Sequence, residues 1–353
     1  MIRTIILGFR LLPLVAAAGS IFVSPLQSQN RSKNEAQEVD VVRVNTTLVT
    51  VPVSVKDRKG KSILNLPRED FHLYEDGVEQ EIAYFESPQE PNSSRSSSGE
   101  KPFTVALLLD VSDSTQFKLA QIQHAAIAFI DQLSANDRVL VIAFDKRVQV
   151  LAEATNDRKA LHEAIGRTRT GGGTSLYNAL EVVINQRLNR ISGRKAIVLF
   201  TDGVDTASNG ATYASTIHQA EQLDAAIYPI QYNTYGDFAD NPSRGTNALG
   251  NFGGTAHMTK SGELASEAYK RATLYLRLLA EKTGGRFTYT DSLKNLSRSF
   301  ARIASELRQE YTLGYYPKNQ TIDEARRELK VHIGVPGVVV RARKSYIYGQ
   351  PAR

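Results

Sequence analysis

The chain has no cysteine and no tryptophan among its 353 residues, and only two methionines. Without thiols there is no disulfide, no thiolate nucleophile and no cysteine-ligated zinc or iron–sulfur centre. Charge of one sign is scarce too. The formal balance is +6, and two of those charges are Arg3 and Arg10 near the N-terminus. Basic residues are scattered, apart from a pair at Arg326 and Arg327 and a short cluster from Arg341 to Lys344. No Lys/Arg run interleaves with aromatics as a nucleic-acid groove requires, so nucleic acid is not an expected partner. The six histidines, at 72, 124, 162, 218, 257 and 332, show no ligand spacing. Gly171 to Gly173 lack the lysine of a phosphate loop, which argues against a nucleotide site. No Gly-x-Ser-x-Gly elbow is present to seat a nucleophilic serine.

What is present is an ordinary globular composition, 41% hydrophobic and 23% charged. The opening "MIRTIILGFRLLPLVAAAGS" has a basic start, an apolar stretch and the small-residue run Ala16 to Gly19. That is the pattern of a secretory signal peptide, with residues 1–28 covering the leader and the start of a tether. Arg10 and Pro13 leave too short an apolar run for a span, which needs roughly 20 residues, and no later segment approaches that length. The chain is therefore expected to be exported to the periplasm, the cell envelope or the medium, touching a membrane only through an uncleaved leader.

Residues 38–86 read as β structure: "VVRVNTTLVTVPVSVKD" alternates apolar and polar, and "FHLYEDGVEQEIAYF" has the form of a hairpin around Asp76-Gly77. Residues 87–102, "SPQEPNSSRSSSGEKP", are a Ser/Pro-rich linker. From 103 to 308 strand-like runs alternate with helical ones, which predicts an α/β domain whose mostly parallel sheet carries helices on both faces. "RVQVLAE" follows its predecessor too closely for a crossover helix and is expected as an antiparallel edge strand. The patternless stretch from about Asn233 to Gly262 is expected as a long loop. In 309–353 the β rhythm returns without helices, and these strands are expected to join 38–86 in a small β-rich module built from both chain ends. Extension of the central sheet is the alternative.

Three distant segments deliver small oxygen-bearing residues to strand carboxyl ends, where open parallel sheets form their sites. Asp110, Ser112 and Ser114 follow "TVALLL"; Thr174 follows the three glycines; Asp202 follows "AIVLFT". Two carboxylates and three hydroxyls form a hard-oxygen donor set, suited to Mg2+, Mn2+ or Ca2+ rather than zinc or copper. Helix capping would account for Ser112 or Ser114 singly, but not for the coincidence with Thr174 and Asp202. Asp113 and Asp205 read as solvated acids at the rim.

"DVSDS", "GGGTS" and "TDG", in this order on an α/β core, resemble the metal-ion-dependent adhesion site of von Willebrand factor type A (VWA) domains. The resemblance covers about Phe103 to Arg308 and implies a Rossmann-like VWA domain. The flanking strands, with "YTLGYYP" and "VVVRARKSY", resemble the VWFA-related proteins of acidobacteria. The likeness implies that Ser112, Ser114 and Thr174 bind a cation, most readily Mg2+, directly, while Asp110 and Asp202 act partly through water. It further implies a non-enzymatic, adhesion-type module whose protein partner offers an acidic side chain to the metal. A metal-dependent hydrolase and a metal-stabilised envelope scaffold are the rival expectations.

Overall fold

The structure, a computed structural model, describes residues 48–88, 103–232, 265–290 and 293–349. The leader, most of the linker and the expected loop at 233–262 lie outside the described residues.

The central strand, β5 (Thr104–Asp110), is buried along its whole length. Strands β6 (Arg138–Phe144), β7 (Val148–Thr155), β8 (Lys195–Thr201), β9 (Ala226–Tyr232) and β10 (Thr288–Thr290) complete a sheet in the order β10-β9-β8-β5-β6-β7. All its ladders are parallel except β6–β7, so β7 is the antiparallel edge strand. A strand alternates its side chains between faces, and here both faces are covered, which is why β5 reads as a continuous apolar run. Val105, Leu107 and Leu109 pack with helices α1 (Leu119–Asp131), α2 (Arg158–Gly166) and α6 (Leu293–Arg308). Ala106 and Leu108 pack on the other side with α3 (Leu176–Glu181), α4 (Tyr213–Gln222) and α5 (Ala265–Thr283). Phe129 of α1 meets Phe300 of α6 at 5.3 Å between ring centres, joining two helices on one face.

Strands from both chain ends form two further antiparallel sheets. One runs β13-β1-β11-β4, from β1 (Val49–Asp57), β4 (Ile82–Glu86), β11 (Tyr311–Tyr315) and β13 (Val338–Arg341). The other runs β14-β12-β2-β3, from β2 (Phe71–Glu75), β3 (Val78–Gln80), β12 (Arg326–Ile333) and β14 (Ser345–Ile347). Val51, Val53, Leu73, Leu313 and Leu329 share one core, so the two sheets pack as a sandwich. That core holds a buried ion pair: Glu75 takes Arg327 at 3.0 Å and the hydroxyls of Tyr315 and Tyr346 at 2.5 and 2.7 Å. Each polar group in the cluster has partners, as a buried charge demands.

The sandwich meets the α/β layer through charged contacts. Buried Arg343 donates to the carbonyls of Glu221 and Leu223 at the end of α4. The Glu221 carboxylate receives Arg326 at 3.0 and 2.7 Å and Lys282 at 2.9 Å. At the far end of α6, Arg341 reaches both Glu306 and Glu310. Glu221 and Leu223 lie just ahead of β9, at the opposite end of the strands from their carboxyl edge.

Candidate metal centre

Asp110 ends β5 and is fully buried, and Thr201, the last residue of neighbouring β8, donates its hydroxyl to Asp110 Oδ2 at 2.6 Å. The backbone N–H of Ser112 donates to Asp110 Oδ1 at 3.0 Å. The chain then turns, and Thr115 returns its own N–H and hydroxyl to the Ser112 carbonyl, at 2.9 and 2.8 Å. This turn brings the Ser112 and Ser114 hydroxyl oxygens to 3.0 Å of each other. Alternation along an extended chain is thus carried one step past the strand end, and the aspartate and two serines share one location.

Asp202 follows Thr201 directly. Its Oδ1 accepts from Val204 N–H at 3.0 Å, and Tyr269 of α5 holds its hydroxyl 3.5 Å from Oδ2. Gly203 makes this turn with φ of +86°, and a Cβ there would lie 2.8 Å from Leu276 Cδ1 on α5. The positive φ favours glycine, and any Cβ would also press on Leu276 and Ala272. Gln231 ties β9 to the same turn by donating to the Asp202 carbonyl at 2.9 Å, and Thr273 of α5 donates to Gln231 at 2.9 Å.

Thr174 arrives on the glycine loop, fixed by its backbone from both sides. Gly171 N–H donates to Val111 carbonyl at 3.0 Å, and Thr206 and Ala207 N–H groups donate to the Thr174 carbonyl at 2.9 and 3.0 Å. Thr174 is 5% exposed, and among the described residues its hydroxyl enters no hydrogen bond. Gly171 touches a residue that sequence reasoning missed: a Cβ on it would sit 1.9 Å from Asp145 Oδ2. Asp145 is buried just past β6, its carbonyl accepting Ser175 N–H at 2.8 Å and its Oδ1 accepting Arg147 N–H at 2.6 Å. A strand ending in "AFD" beside one ending in "LLD" was the available signal.

Asp205 corrects the expectation of a solvated rim acid. It is half-buried, accepts Tyr177 N–H at 3.2 Å, and takes the Ser208 hydroxyl at 2.6 Å. It caps α3 from another segment of chain, because the N-cap residue Ser175 makes no side-chain cap of its own. Burial, the larger cause, raises its pKa despite those bonds. Asp113 is half-buried, with Oδ2 3.5 Å from where a Cβ on Gly172 would stand.

Two observations test the fit to a divalent cation. Burial, and next the neighbouring Asp202 charge, push the Asp110 carboxyl up to about 7. Two acids placed so that their charges oppose each other are relieved by a cation between or beside them. The donor set is also oxygen throughout, which matches Mg2+, Mn2+ and Ca2+. Asp110, Asp202, Ser112 and Ser114 would hold the ion, with Thr174 brought to their side by its backbone.

Residues 105–204 match the von Willebrand factor type A domain family. That stretch holds all five site residues. A Synechocystis protein of uncharacterized role is 35% identical over 106 residues, 29% of this chain and 25% of that protein's length. Among solved structures, a von Willebrand factor type A protein from Catenulispora acidiphila is 12% identical with a TM-score of 0.45, over 87% of this chain and 76% of the other. The pilus adhesin SpaC from Lactobacillus rhamnosus GG is 10% identical with a TM-score of 0.43, over 82% of this chain and 44% of the adhesin.

Proposed function

We propose that the chain is an exported binding module that grips a protein partner through a divalent cation, Mg2+ in the first instance, held at Asp110, Ser112, Ser114, Thr174 and Asp202. The observation that carries this reading is the pairing of two buried carboxylates with two hydroxyls 3.0 Å apart at the carboxyl edge of the central strands. Hydroxyls and carboxylates that act partly through water leave a bound cation short of negative charge. It then attracts an acidic side chain offered by another protein. Metal-assisted catalysis would need a positioned base or nucleophile as well. Of the two rim acids, Asp205 is occupied in capping α3, which leaves Asp113 as the acid a hydrolase would have to use. Export rests on the leader-like first twenty residues. Among the described residues no helix is long and apolar enough to cross a membrane.

The test is capture from a cell-envelope extract with Mg2+ or with chelator, using the full chain and a Ser112→Ala/Ser114→Ala variant. A partner retained only with Mg2+ and lost in the variant, with thermal stability in chelator unchanged, supports the reading. Capture indifferent to both chelator and variant overturns it. Turnover of a phosphoester or peptide substrate that requires Asp110 would favour the hydrolase.

A further inference from the structure

The histidines that look scattered along the chain are not all scattered in space. On the sandwich sheet β14-β12-β2-β3, the antiparallel register sets His332 of β12 directly opposite His72 of β2, 260 residues away in sequence. Their ring centres are 6.1 Å apart, with planes at 51°. Glu79, on the next strand β3, holds its Oε1 2.9 Å from His72 Nδ1. The His72 and Glu79 side chains are 43% and 56% exposed, and His332 lies in the wall of an open concavity of about 900 Å3.

We propose that His72 and His332 form a second metal site, one for an imidazole-seeking transition ion: Cu2+, Ni2+ or Zn2+. An ionised Glu79 can only accept, so it fixes the proton on His72 Nδ1 and leaves the lone pair on Nε2. A carboxylate behind a ligating imidazole is the usual outer-shell arrangement, orienting the ring and raising its basicity. Metal–nitrogen bonds of about 2 Å allow two ring centres to lie up to roughly 6.4 Å apart around one ion. The observed 6.1 Å lies near the trans end of that range, so a tetrahedral or cis arrangement requires the two rings to swing towards each other by side-chain rotation. Waters complete the coordination. The same concavity is lined by Lys330, Arg326, Lys344 and Lys282 with Glu328. Arg326 and Lys282 are paired with Glu221 and Lys344 with Glu281, which leaves Lys330, two residues from His332, as the cation to be screened. Repulsion from an exposed ammonium is screened by salt, whereas the nitrogen–metal bonds are not. Donor type separates this site from the oxygen set at the sheet edge: affinity here should rise from Mn2+ through Ni2+ to Cu2+ and fall again at Zn2+.

The experiment is Cu2+ titration of the full chain in excess Mg2+, read by electron paramagnetic resonance and by calorimetry. Wild type should show one tight ion with hyperfine structure from two nitrogens. His332→Gln and His72→Gln should each reduce the nitrogen count and weaken binding at least about tenfold, and Glu79→Gln should weaken it by about tenfold. His124→Gln and His218→Gln should change neither. All the substituted side chains in the pair are on an exposed sheet face, so circular dichroism should confirm unaltered folding. A spectrum without paired nitrogen ligands, or Cu2+ affinity unchanged in either histidine variant, overturns the site. Unchanged affinity in Glu79→Gln overturns the role given to the carboxylate.

Discussion

Replacing Asp110 by asparagine should stabilise the protein in chelator while abolishing its response to divalent cations. The Asp110 carboxyl titrates near 7 against an ordinary 3.8, chiefly because it is buried and secondly because Asp202 is beside it. About three pK units at 1.36 kcal/mol each make ionisation of this group cost roughly 4 kcal/mol more in the folded chain than in the unfolded one. The folded state binds the proton more tightly, so this group's contribution is fully present below about pH 4 and is lost as pH rises towards 7. Asparagine keeps the acceptor for Ser112 N–H and removes the charge. It also deprives the Thr201 hydroxyl of a carboxylate acceptor, a loss of about 1–2 kcal/mol. The balance at pH 8 is a gain of about 2–3 kcal/mol for the variant, shrinking towards zero or below by pH 4. Urea denaturation in chelator across that range measures it. Added Mg2+ or Mn2+ should then stabilise the wild type and leave the variant unmoved, and wild-type affinity should fall about tenfold per pH unit below 7. An Asp110→Asn chain that is less stable by the same amount at every pH would refute the argument, because the carboxylate would then act as a simple hydrogen-bond acceptor.

Three other outcomes follow from the packing. Gly171→Ala places a methyl group against Asp145 Oδ2 and should cost about 1–3 kcal/mol in urea melts, most of it recovered in the Gly171→Ala/Asp145→Ala double variant. Glu75→Gln leaves buried Arg327 without its counter-charge and should destabilise by about 3–5 kcal/mol, the typical loss when one partner of a buried pair is removed. Phe300→Ala opens a cavity between α6, α1 and the sheet and should lower stability by about 3–5 kcal/mol by the same measurement.

The sequence was most informative where periodicity is strict. The order and kind of elements from β5 to α6 follow from apolar runs and helical spacing, and β7 from a connection too short for a crossover. Strand ends mark Asp110 and Asp202, since only a chain leaving a buried sheet tolerates oxygens immediately after "ALLL" or "IVLF". Side-chain relations across the fold carried no such mark. Asp205 looks like any loop acid until α3 is seen to begin beside it with an uncapped N-terminus. Tyr269 reaches Asp202 from a helix 67 residues on, and helical spacing does not say which residue of α5 faces that turn. The His72–His332 pair depends on the register between strands from opposite chain ends, and register between distant strands has no local signal.

The way the site is held together also explains why its own residues can be spent on an ion. The three segments are joined chiefly through main-chain groups: Gly171 to Val111, Thr206 and Ala207 to Thr174, and Ser175 to Asp145. Thr201 and Ser112 N–H each use one lone pair on a different Asp110 oxygen, and a carboxylate oxygen has a second to offer. Had the loops been clasped by Ser112, Ser114 or Thr174 hydroxyls instead, binding a cation would first require breaking those clasps. Backbone clasps leave the geometry in place when the hydroxyls turn towards the metal. This is why Ser112→Ala/Ser114→Ala should remove cation binding while leaving the thermal stability of the domain in chelator where it was.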